Sequence, residues 1–266
     1  MDMAIWPDDR IPLPLAALRL PATLDLLVLA PHPDDFDAIA ASLRFLRDRG
    51  NRLEVAVATS GASGVESGFG GTTTAGERSA LRELEQQASC RLFGLPEDRL
   101  RFLRLHEDLD GHPLHCRDNL RLVASCLRDH RPGLVFLPHW HDPNEGHQRT
   151  YALFRQSVEE EKLSLAACLN QDPKTLAMRR DLYFAFGPET AAWKGELLRL
   201  HQSQQQRNLR QRGYGLDERI LRVNRRAAET LALHEPYAEV FELEIYSRGN
   251  AVAGTLEKLN TQYEEL

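Results

Sequence analysis

In the stretch LDLLVLAPHPDDFDAIA, a run that reads as a buried strand empties into His32, Asp34 and Asp35. Adjacent carboxylates repel, and a cation bound beside them is one way to compensate. A second dense loop, PHWHDPNEGHQRTY, carries His139, His141, Asp142, Glu145 and His147. A histidine and a carboxylate from the first loop with a histidine from the second would give three N/O ligands. That leaves a fourth position for water, the arrangement of catalytic rather than structural zinc. Adjacent side chains point in different directions, so one of Asp34 and Asp35 can ligate while the other takes a proton from bound water.

These loops must be brought together by the elements around them. Short apolar runs at 24–30, 53–60, 100–105, 134–138 and 182–186 alternate with helical patterns at 36–49, 76–93, 117–130 and 147–162. This predicts an α/β fold: a Rossmann-like, mostly parallel sheet with helices on both faces. In the order 3-2-1-4-5, the first and fourth strands are neighbours at the topological switch, where such sheets bind ligands. Helix 76–93 is expected to turn Ala80, Leu84, Ala88 and Leu92 to one face and to stop at Gly94. Beyond 188 the pattern predicts helices over 189–206 and 216–232 and a closing strand at AEVFELEIY. The expectation is one domain over 1–266, with its core at about 24–188 and a C-terminal appendage, helical segment plus strand, at about 189–266.

Two stretches lack a fixed role. SGASGVESGFGGTTT (60–74) carries no phosphate-binding glycine fingerprint and reads as a loop at the sheet's carboxyl edge. RNLRQRGYGLDERILRVNRR (207–226) holds seven arginines. It reads as a solvated helix face, with attraction of an anionic substrate group as the sharper alternative.

The 266 residues are 42% hydrophobic and 27% charged, enough for a sizeable core, and the net charge of -6 disfavours a general nucleic-acid binder. Cys90, Cys116, Cys126 and Cys168 form no CxxC pair, which fits reduced thiols in a cytoplasm. No signal peptide and no membrane span are expected, and a homo-oligomer is left open.

The same residues resemble the PIG-L/LmbE-like family of zinc-dependent N-deacetylases. LAPHPDD matches the family's opening signature [AP]HPDDE through Asp35. The resemblance implies that His32 and Asp35 are metal ligands and that Asp34 is the general base. Asp142-Pro-Asn144-Glu-Gly146-His147 is similar to the signature D-x-H-x-D-H, which makes His147 the third ligand. Arg82-Glu-Leu-Glu85 resembles R-x-x-E and gives Arg82 a substrate contact. The stretch from Lys194 to Gln204 is similar to one that places His201 near the site in the family. This sequence departs from the pattern at Phe36, at Ala40, Ala41 and Ser42, at Asn144 where a histidine is usual, and at Gly146 where an aspartate is usual.

The implied activity is removal of an N-acetyl group from a small amino sugar or sugar conjugate, with one zinc per chain. Arg82 would orient the sugar or its anionic part, and Asn144 would help hold the oxyanion. His139, His141 or His201 would serve as acid. The alternatives are hydrolysis of another N-acyl amide and a catalytically decayed metal- or sugar-binding module.

Overall fold

The alternation within strand β2 (Asp25–Ala30) sets the architecture. Leu26, Val28 and Ala30 enter one hydrophobic core, while Leu27 and Leu29 enter another. Strand β5 (Leu134–Pro138) repeats this, with Leu134 and Phe136 on the first side and Val135 and Leu137 on the second. A parallel strand buried on both faces reads as a continuous apolar run because each face needs its own apolar set. The computed structural model in which this is seen describes residues 12–18, 20 and 23–252.

Strand β1 is Leu13–Pro14, β3 is Arg52–Val57, β4 is Leu100–Phe102, β6 is Leu165–Asn170, β7 is Leu182–Phe186, β8 is Tyr237–Ser247 and β9 is Asn250–Val252. The sheet order is β1-β7-β8-β6-β5-β2-β3-β4, with β9 pairing β8. Strands β4, β3, β2, β5 and β6 are parallel, and β8 runs antiparallel to both β6 and β7. The helices are α1 (Ala40–Asp48), α2 (Ala75–Phe93), α3 (Arg117–His130), α4 (Glu145–Glu160), α5 (Pro188–Arg199), α6 (Gln202–Arg212) and α7 (Leu216–Thr230). Residues of α1, α2 and α5 pack on the first face of the sheet, and residues of α3 and α4 on the second.

The expected order holds for its first four strands and fails at the fifth. LAACLN forms β6 beside β5, a strand hidden by its small, alanine-rich composition, and 182–186 lies two places further out. The C-terminal region is also more than an appendage. β8 sits inside the sheet, pairing Phe241–Tyr246 with β6 and Tyr237–Phe241 with β7. The helix expected over 189–206 breaks at Leu200 and His201 into α5 and α6.

Helix α2 buries a different face from the one its apolar residues suggest. Leu84 and Leu92 are 59% and 45% exposed, whereas Arg82, Glu85, Gln86, Ser89, Cys90 and Phe93 are buried. Thr74 and Glu77 close its first turn with a capping box. Gly94 ends the helix at φ 84°, the stop the sequence predicts. All four cysteines are free thiols, and among the described residues no helix is long and apolar enough to cross a membrane.

Candidate metal-dependent active site

The turn after β2 is held from outside. Asp34 adopts φ 108°, a conformation that costs a non-glycine residue of order 1–3 kcal/mol. Two residues of the buried α2 face fasten it. Gln86 Oε1 accepts the Asp34 backbone N–H at 3.0 Å, and Arg82 donates to the Pro33 carbonyl and, at 2.9 Å, to Asp34 Oδ1. Arg82 also reaches Glu85 at 3.3 Å and is 1% exposed. Below the turn, Asp37 meets Ser89 Oγ and, at 2.7 Å, His201 Nε2. The polar face of α2 is therefore buried because it braces this turn.

His32, Asp35 and His147 place donor atoms within 4.8 Å of one another. Asp35 Oδ2 lies 3.1 Å from His32 Nδ1, and Asp35 Oδ1 lies 3.6 Å from His147 Nε2. His147 lies in the first turn of α4, whose N-cap is Asn144. The Asn144 Oδ1 accepts the Gly146 N–H at 3.0 Å, and its side-chain NH2 has no partner among the described residues. Gly146 is needed for space, since a Cβ there would lie 2.7 Å from His32 Nε2. The departure from aspartate at 146 is thus coupled to the close approach of His32.

Burial opposes ionisation of Asp35, but the facing His147 and His32 outweigh it and hold its carboxyl well below the usual range. Burial likewise disfavours a charged His147, yet Asp35 and Asp142 raise it well above an ordinary histidine. Burial raises Asp34, with the Arg82 charge opposing and the Asp35 charge assisting. These groups attract positive charge, and the donor set of two imidazoles and one carboxylate fits zinc. His147 Nδ1 lies 3.6 Å from Asp142 Oδ2, and neither atom has another hydrogen-bond partner. A carboxylate behind a ligating imidazole is what fixes its tautomer in zinc sites.

The turn opens into a cleft of about 580 Å³. Loops from the carboxyl ends of β2, β3, β5 and β6 contribute Asp34, Ser63, Asn144 and Asp172 to its lining. Glycine-rich segment 60–74 enters through Gly61, Ser63 and Gly64. His32, Asp34, Asp35, Arg82, Asn144 and His147 all line this cleft; His201, fully buried against Asp37, does not. His139 is buried against Glu242 and His141 faces the Ala177 carbonyl, so neither lines it. The additional histidine that does is His112, whose Nδ1 has no partner. Asp172 also lines it, and burial pushes its carboxyl up to about 6 although His147 opposes the shift. Sequence reading missed Asp172 because it missed β6, whose carboxyl end points to this position.

Residues 27–158 match the family model described as GlcNAc-PI de-N-acetylase, PIG-L. No curated protein matches the sequence. Among solved structures, the N,N'-diacetylchitobiose deacetylase from Pyrococcus horikoshii is 20% identical with a TM-score of 0.68, each chain covered over 84%. A deacetylase of the teicoplanin biosynthesis pathway is 17% identical with a TM-score of 0.63, over 86% of this chain and 99% of that one. The 4-carboxy-2-hydroxymuconate hydratase from Pseudomonas putida is 18% identical with a TM-score of 0.64, over 83% of this chain and 95% of that one.

Proposed function

The chain belongs, through residues 27–158, to the PIG-L family, and from that premise we propose that it is a zinc-dependent amidohydrolase removing an N-acetyl group from an amino sugar or sugar conjugate. The observation that carries this reading is the convergence of His32, Asp35 and His147 beside Asp34 in one cleft. The fold alone would not carry it, since a hydratase shares it.

His32, Asp35 and His147 would hold the metal. Bound zinc supplies a Lewis acid for the acyl carbonyl and lowers the pKa of a coordinated water towards about 7. Asp34 accepts the water's proton, a role its burial favours, and returns it to the leaving amine. Arg82, the expected substrate contact, has its guanidinium engaged by Pro33, Asp34 and Glu85. We therefore assign it to positioning Asp34 against the strain of φ 108°. The unpartnered NH2 of Asn144 donates to the developing oxyanion. His201 supports the turn from beneath through Asp37 and does not touch substrate.

The test is acetate release from N-acetylglucosamine glycosides by the zinc-loaded protein and by Asp34→Asn. The variant should keep its zinc and lose on the order of 10²–10⁴ in kcat. A metal-loaded Asp34→Asn protein with near-normal turnover would remove the base assignment. Release of longer acids in place of acetate would move the reading to another N-acyl amide.

A further inference from the structure

The chemistry above uses none of the seven arginines between 207 and 226. Four have ordinary surface roles. Arg210 pairs with Glu66 at 2.7 Å and Arg222 with Glu218 at 2.6 Å. Arg225 donates to the Tyr237 hydroxyl at 3.2 Å, and Arg226 is exposed.

Arg207, Arg212 and Arg219 differ from these: they line the cleft that contains Asp34 and His147. Among the described residues, none of the three has a carboxylate within 4 Å. Arg207 donates to the Gly64 carbonyl at 3.3 Å and Arg212 to Gln211 Oε1 at 3.0 Å. Those neutral acceptors fix direction without compensating charge, and each guanidinium carries five N–H donors. Arg219 is near enough to Asp172 to favour its ionised form, but the two make no ion pair. The three cations also crowd one another: burial, then the charges of Arg219 and Arg207, lowers the proton affinity of Arg212.

This wall is built. Arg207 and Arg212 stand on α6 and Arg219 on α7, and the turn between the helices passes through Gly213 at φ 77°. Gln205 ties the helices together, donating to Asp217 at 2.8 Å and accepting the Leu216 N–H at 2.7 Å. A Cβ at Gly215 would collide with Gln205 Nε2, so the tie requires glycine there. Gly64 packs in the same way, its hypothetical Cβ 3.3 Å from both Arg207 and Gln204. In a chain of net charge -6, three arginines are thus held without counter-ions on the wall of an otherwise acidic cleft.

We propose that Arg207, Arg212 and Arg219 form a phosphoryl subsite, so that the molecule bound in the cleft is a phosphorylated sugar with its acyl amide at the metal end and its phosphate on this wall. A phosphoryl group suits the site better than a carboxylate. It brings close to two negative charges and three terminal oxygens, matching three planar donor forks. That the sugar bears an N-acyl group rests on the function proposed above; the phosphoryl subsite does not.

Isothermal titration calorimetry of the zinc-loaded, full-length protein with glucose 1-phosphate tests this, because that probe has no amide and its binding is read without turnover. Glucose 1-phosphate should bind at least about tenfold more tightly than glucose, and Arg212→Gln and Arg219→Gln should each weaken it by about tenfold or more. Arg222→Gln makes the same charge change on α7 outside the cleft lining and should leave binding unchanged. Equal affinity for glucose and glucose 1-phosphate would overturn the proposal, as would equal weakening by all three variants. Inorganic phosphate binding as tightly as glucose 1-phosphate would overturn it too, since the site would then take the free anion. Absence of acetate release with arginine-dependent binding intact would overturn the deacetylase reading alone.

Discussion

Two buried clusters of charge lie on either side of the helical turn that starts α1, and they are finished to different degrees. In the first, Lys194 Nζ donates to the Ala38 carbonyl, Asn224 Oδ1 and Glu239 Oε1 at 2.6, 2.7 and 2.6 Å, which uses all three of its protons. Glu239 in turn accepts the backbone N–H groups of Ala41 at 3.2 Å and Ser42 at 2.7 Å, capping α1 from a distant strand. The second contains Asp34, Asp35, Asp142, Asp172 and His147, and there His147 Nδ1 and Asp142 Oδ2 remain without hydrogen-bond partners. Both clusters set carboxylates against cations in a buried place. The closed one serves the fold, and the open one is arranged for a group from outside.

The sharpest way to break this comparison is His147→Ala. Zinc and activity should both be lost, whereas His106→Ala, outside the cleft lining, should retain the metal. Elemental analysis of the two purified variants decides it, and equal zinc would erase the distinction between open and closed clusters. Lys194→Met acts on the closed cluster and should cost about 3–5 kcal/mol of stability by stranding Glu239, while the folded protein keeps its zinc. Adding Glu239→Gln should recover much of that loss in denaturant melts; a double variant no more stable than Lys194→Met would show the node is not a charge balance.

Gly146→Ala is smaller. Its Cβ would push on His32, and zinc affinity by competitive chelation should fall about 10–100-fold, as for other changes that misorient a ligand. Unchanged affinity would mean the His32 ring has room to move. The smallest effect belongs to a surface charge outside both clusters. The Thr73 and Thr74 N–H groups, bonded at 2.7 and 2.9 Å, hold the Glu77 carboxyl down at about 2. A carboxyl lowered in the folded state stabilises fully above its unfolded value near 4.5 and loses that effect as pH falls towards 2. Glu77→Gln should therefore melt slightly lower at pH 7, with the gap closing through that acidic window. A gap independent of pH would place the effect in shape rather than charge.

How much of this was legible in the sequence follows from what each residue does. The strand-to-loop transitions at Ala30 and Pro138 were readable, because fully apolar runs ending in ligand-type residues leave few readings. His32, Asp35 and His147 meet as their loops suggested, since β2 and β5 are neighbours. Helix α2 was misread because its buried side is polar: Arg82, Gln86 and Ser89 face the turn they brace, and no hydrophobic period reports that. His201 illustrates the same limit: the resemblance of its stretch places it near the site, and in space it lies beneath the turn against Asp37. The arginines divide by helix face, with three towards the cleft and four elsewhere, and only the α6–α7 turn decides which.

The position of β8 bears on how the molecule is made. It is the bridge between β6 and β7, yet it follows β6 by some seventy residues of chain. During synthesis, the edge of β6 has no partner until Tyr237–Ser247 emerges, and every residue of β6 is one the finished protein buries. An unpaired apolar edge is a template for wrong pairing, and long-range strand closure is slow. The nascent chain up to α7 therefore carries its greatest risk of misassociation at β6, on the opposite side of β5 from the strand that delivers Asp34 to the cleft.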